Sequence, residues 1–108
     1  MSAAAMLAHN VYFTLVNNSP QAKEELVAAC REFLSNHPGT VLFAAGVLAE
    51  DVDSSVNDRD FDVALHLIFE SKAAHDEYQD SPRHSEFLEK YGGNWKALRA
   101  FDEYVQCS

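Results

Sequence analysis

Apolar and polar residues alternate over residues 9–16. His9, Val11, Phe13 and Leu15 share one side and Asn10, Tyr12, Thr14 and Val16 the other, which is the period of a strand. Asn17-Asn18-Ser19-Pro20 then supplies a turn, an N-capping Ser and a Pro at the first helical position. The spacing predicts a helix over residues 20–36, with Leu26, Val27, Cys30, Phe33 and Leu34 as its inner stripe and His37-Pro38-Gly39 as its stop. Residues 41–48, apolar at nearly every position, predict a second strand, and an acidic loop at 50–60 leads to a third at 61–70.

Two short helices are expected next, at 71–79 and 82–91, separated by a Ser81-Pro82 break. Ala74 and Tyr78 mark the inner side of the first. His84, Phe87, Leu88 and Tyr91 fall at i, i+3, i+4 and i+7 on the second. Gly92-Gly93 ends it, residues 94–99 add one turn around Trp95 and Leu98, and residues 100–107 close as a fourth strand. The order β-α-β-β-α-β predicts an α+β, ferredoxin-like protomer, a four-stranded antiparallel sheet with helices on one face.

The uncovered face of such a sheet should be polar if it meets water. Here Tyr12, Val16, Ala64, Ile68 and Tyr104 are expected on it, and the second strand is apolar on both sides, with Leu42, Ala44 and Leu48 opposite Val41, Phe43, Ala45 and Val47. Phe61, Val63, Leu65, Leu67 and Phe69 are expected inward. A doubly apolar sheet predicts a homodimer with the two outer faces stacked.

Composition narrows the functional classes. A net charge of −9 with only 8 Lys and Arg argues against nucleic acid as a partner. No apolar run approaches the roughly 20 residues of a membrane helix, so no membrane is expected. Residues 1–8 read as a frayed leader without a basic n-region, and residues 9–107 as one domain of a cytoplasmic protein. Cys30 and Cys107 are too few for a disulfide framework and read as reduced thiols.

The strongest candidates for chemistry are Tyr78 and His84, six residues apart across a break and both aimed inward. His84 has the titration range of a general base and Tyr78 could donate its phenol proton to a carbonyl oxygen. The competing reading is a hydrogen-bonded pair that fixes the helix break. His9, on the face of Val11 and Phe13, points toward the same layer. His66 has outward parity and belongs to the expected interface, whereas His37 reads as a loop residue and His75 as a helix-surface one. Asp51, Asp53, Ser55, Asn57 and Asp62 follow part of the spacing of an EF-hand loop. Val56 stands where its Gly belongs, so a solvated loop and no metal are expected. No cofactor motif is present.

The chain resembles the stress-responsive dimeric α/β-barrel (Dabb) family. The matching pieces are His9-x-Val11-x-Phe13, Pro38-Gly39-x-Val41, Phe61-Asp62-x-Ala64-Leu65-x-x-x-Phe69-Glu70-Ser71 and Tyr78-x-x-Ser81-Pro82-x-His84-x-x-Phe87, spread over residues 9–106. The resemblance implies a dimeric α/β barrel. It also implies a range of roles, from stress-protective oligomers to a plant polyketide cyclase. In that cyclase the residues matching Tyr78 and His84 carry an aldol-type ring closure and the one matching His9 lines the pocket; a further pocket His corresponds here to Val63.

The expectation is therefore a small apolar pocket lined by His9, Phe13, Val63, Leu65, Tyr78, His84, Phe87 and Trp95. It would bind a small carbonyl or phenolic compound, with acid–base chemistry by His84 and Tyr78 and no cofactor. Two alternatives stay open: a non-enzymatic stress-response dimer whose core is filled, and a cofactor-independent oxygenase of the small monooxygenase kind.

Overall fold

The computed structural model describes residues 5–107. Four strands, β1 (Met6–Leu15), β2 (Thr40–Val47), β3 (Val63–Phe69) and β4 (Trp95–Val105), form one antiparallel sheet in the order β2-β3-β1-β4. Helices α1 (Pro20–Leu34), α2 (Lys72–Gln79) and α3 (Pro82–Tyr91) pack on one face. This is the expected ferredoxin-like α+β protomer. β1 starts three residues ahead of its expected first residue, because Met6, Leu7 and Ala8 pair with Val105, Tyr104 and Glu103.

Each helix begins on a serine. Ser19, Ser71 and Ser81 accept from the amides of Ala22, Ala74 and His84, so each satisfies one otherwise orphaned N–H. Pro20 and Pro82 stand in the first turns of α1 and α3, where a missing N–H costs nothing. The core lies between helices and sheet. Phe13, Leu15, Val63, Leu65, Leu67 and Phe69 meet Leu26, Cys30, Phe33, Leu34, Tyr78 and Phe87 there. Burial pushes the Cys30 thiol up to about 12, so it packs as an inert small hydrophobe.

Four expectations are corrected. Residues 95–99 are strand, not a helical turn. Asn94 holds Asn17 from both sides, accepting from its N–H at 2.8 Å and donating to its carbonyl at 2.9 Å, so the chain joins β1 directly after a single 3₁₀ turn, Gly92–Asn94. Tyr104 pairs with Leu7 and so faces the helix side; Phe101, opposite Asn10, takes the outer face instead. Phe61 is not inward: it precedes β3 and packs edge-on to outward Tyr12 at 4.9 Å. Leu88 is 44% exposed, because the buried stripe of α3 is narrower than its spacing suggests.

The face without helices carries Tyr12, Ala64, Ile68, Leu42, Ala44 and Phe101, with Asn10 and His66 hydrogen-bonded at its centre (2.8 Å). Tyr12 gathers Phe61, His66 and Phe101 edge-on within 6.0 Å. The acidic loop lies beside this face and is tied by Arg59 to the carbonyls of Glu50 and Val52 and by the Asp58–Arg99 pair at 2.9 Å. Asp62 is spent elsewhere, accepting from the Leu15 amide at 2.8 Å, so the EF-hand-like spacing does not converge on a point.

Candidate active site

Tyr78 is the hub. It is 2% exposed, and four rings surround it: His84, His37 and Phe69 with centroids 5.0 Å away, and His9 at 6.0 Å. The fold therefore brings together the three polar residues singled out in the sequence. His9 comes from the middle strand β1, Tyr78 from the last turn of α2, and His84 from the first turn of α3, where the Ser81 cap fixes its amide.

The remaining expected lining residues are placed differently. Phe13, Val63, Leu65 and Phe87 are 0–2% exposed and pack against one another in the core. Trp95 lies half-buried against Phe13 (5.1 Å) and Phe87 (5.4 Å), at the far end of that cluster. Aromatic and β-branched side chains fill this region, so the open space near the histidines lies elsewhere. A cleft of about 240 Å³ opens between α2 and β4, lined by Leu7, Lys72, His75, Asp102, Glu103 and Tyr104.

Three residues escaped the sequence reading. Asp102, directly opposite His9 in the β1–β4 ladder, accepts a short hydrogen bond from His9 Nδ1. A carboxylate only accepts, so Nδ1 carries a proton, and in the neutral ring Nε2 is left as the acceptor. His75 is not on the surface: its ring is 5.0 Å from His9 and 5.7 Å from Phe69, and its Nδ1 donates to Asp76 at 3.0 Å. His37 is not a loose loop residue either. It is 7% exposed, donates from Nε2 to the Phe33 carbonyl at 2.8 Å, and turns its ring onto Tyr78.

Burial pushes the Tyr78 phenol well above its usual range, so it stays protonated and able to donate. Burial, followed by the fields of His9, His37 and His75, holds His84 below the usual imidazole value, so it stays neutral and able to accept. That sets a pH dependence. The unfolded imidazole titrates near 6.5, and the folded one lower, so the unfolded chain binds more protons as the pH drops. The stability His84 contributes above about pH 6.5 is expected to be lost as the pH falls through its folded value. Urea midpoints measured from pH 7.5 to 5 should fall less steeply for His84→Gln than for the wild type. Parallel profiles would assign the acid sensitivity to other groups.

The model of the stress responsive A/B barrel domain (Dabb) matches residues 7–105. This chain belongs to the Dabb family. Comparison with curated proteins finds no match. Solved structures share this fold at low identity. A Mesorhizobium loti Dabb protein with a ferredoxin-like fold is 23% identical (TM-score 0.76, 96% of this chain, 99% of that one). A dimeric ferredoxin-like protein of unknown function from Thermobifida fusca is 17% identical (0.76, 97% and 95%). The hydroxynitrile lyase of Passiflora edulis is also 17% identical (0.76, 99% and 98%). Among the described residues of this Dabb chain, no helix is long and apolar enough to cross a membrane.

Proposed function

We propose that this Dabb protein binds a small carbonyl compound against Tyr78 and moves protons on it with its own side chains. The observation that carries the reading is the edge contact of one buried phenol with two imidazoles, His84 and His9, the second oriented by a carboxylate. Tyr78 donates to the carbonyl oxygen and stabilises the charge that develops there. His84 takes the proton from the adjacent carbon or hydroxyl. His9, fixed by Asp102 as the Nδ1–H tautomer, positions the substrate through Nε2. The cleft lined by His75 and Asp102, both in contact with His9, would be the way in once the side chains over Tyr78 part. Hydroxynitrile chemistry, which the name of the Passiflora edulis neighbour states for that protein, is one reaction of this class.

A second reading has its own support. Tyr78 is almost wholly enclosed and Phe13, Val63, Leu65 and Phe87 are packed, as a purely structural core would be. A thermal-shift screen of small ketones, aldehydes, phenols and hydroxynitriles on wild type and His84→Ala separates the two. A compound at about 100 times its Kd adds about 2.7 kcal/mol, or several degrees in a domain of this size. Shifts seen in wild type and lost in His84→Ala support the binding site. No shift in wild type, together with a much lower midpoint for the variant, gives the site to the structural reading.

For assembly we propose a homodimer joined through the helix-free face, as the exposed Leu42 and Phe101 and the half-buried Tyr12 favour. Buried Cys30 and exposed Cys107 are both free thiols, which supports a reducing compartment such as the cytoplasm.

A further inference from the structure

We propose that His9, His75 and Asp102 form a site for a divalent transition-metal ion of the zinc class. The three come from β1, α2 and β4, and their donor atoms lie within 4.8 Å of one another. Two imidazoles and one carboxylate make a donor set that Zn²⁺ takes with an open fourth position. Mg²⁺ and Ca²⁺ prefer oxygen alone, so imidazole pairs select against them.

His75 is the deciding residue. Its Nδ1 faces the Asp76 carboxylate, so in the neutral ring Nε2 is the acceptor, and that Nε2 is buried without a hydrogen-bond partner among the described residues. A buried acceptor that nothing satisfies is a cost in any fold, and a cation removes it. Asp76 is itself held by Lys72 at 2.6 Å. A carboxylate on the outer nitrogen of an imidazole is the arrangement that orients histidine ligands and raises their basicity.

The set must adjust to bind. Bonds of 2.0–2.1 Å in a tetrahedral shell put ligand atoms about 3.4 Å apart, whereas the donor atoms now lie within 4.8 Å of one another, with His9 Nδ1 and Asp102 in hydrogen-bond contact. Asp102 can supply most of this, because its side chain is 45% exposed and stands on an edge strand. Binding exchanges the His9–Asp102 hydrogen bond for bonds to the ion. The 240 Å³ cleft is lined by His75 and Asp102 and gives both an entry path and room for a fourth, non-protein ligand. Loading needs no organic ligand, but it breaks the His9–Asp102 hydrogen bond and occupies the cleft that the carbonyl reading uses, so the metal titration is read with no carbonyl compound present.

The test is calorimetric titration of the metal-stripped full chain with Zn²⁺ alone, paired with Co²⁺ visible spectroscopy. One ion per chain is expected, with a four- or five-coordinate Co²⁺ spectrum. His75→Ala and, independently, Asp102→Ala should each weaken binding at least 30-fold and abolish that spectrum. Asp76→Asn should cost about 10-fold, the effect of losing an outer partner. His66→Ala, on the opposite face, should change nothing. Absence of stoichiometric binding overturns the proposal. So does binding that survives Asp102→Ala, a half-exposed position whose loss the fold tolerates even if His75→Ala unfolds.

Discussion

Gly39→Ala is expected to cost about 2–5 kcal/mol, a large share of the 5–15 kcal/mol that holds a domain of this size together. Gly39 has φ +81°, and a Cβ there would stand 2.5 Å from the Cβ of Ala74. The penalty has two parts: a left-handed backbone forced on an L-residue, and overlap with the buried side of α2. The chain cannot slide away, because the Gly39 carbonyl accepts from the Glu70 amide at 2.9 Å. Urea unfolding should give a lower midpoint at unchanged slope. Adding Ala74→Gly should recover the overlap and not the backbone strain, so the pair should be less destabilising than the sum of its members. A single-variant loss under 1 kcal/mol would mean that the turn before β2 yields easily.

Phe101→Asp is expected to turn the proposed homodimer into monomers. Phe101 is 50% exposed in the protomer and packs against Tyr12 at 5.8 Å on the helix-free face. A carboxylate there must lose its water on association without gaining a partner, and two-fold symmetry applies the cost at both copies. Sedimentation should give the wild type at twice the 12.0 kDa chain mass and the variant at one, with at least a 100-fold rise in the dimer Kd. The protomer should stay folded, since the removed ring contributes little to the helix-side core. A variant that remains dimeric would move the interface to another surface.

Much of this architecture is legible in the sequence. Alternation placed β1, serine caps with prolines placed the helices, and doubly apolar strands marked the second face. What failed did so for physical reasons. Nothing local tells which face of β4 holds Tyr104, because alternation puts Phe101 on one side and Tyr104 on the other, and only the register with β1 decides which looks inward. Phe61 was assigned to a strand that Asp62 interrupts by bonding to β1. The candidate site was half visible. Tyr78 and His84 share a local spacing, but Asp102 is 93 residues from His9 and only the β1–β4 register joins them. His37 and His75 looked solvated because no sequence pattern reports a ring folded back over its neighbour.

The central position of β1 bears on how the molecule breathes. Its amides and carbonyls are paired on both sides, to β3 and to β4, so His9 sits on the strand whose amides are expected to exchange most slowly. Tyr78 and His84 ride on helices of 8 and 10 residues that meet at a break. Half of the cluster is anchored to the sheet and half to two short helices, whose junction Ser81 holds by bonds to the Tyr78 carbonyl and the His84 amide. Opening at the Ser81-Pro82 joint would uncover the phenol while leaving the sheet, and any assembly built on its other face, undisturbed.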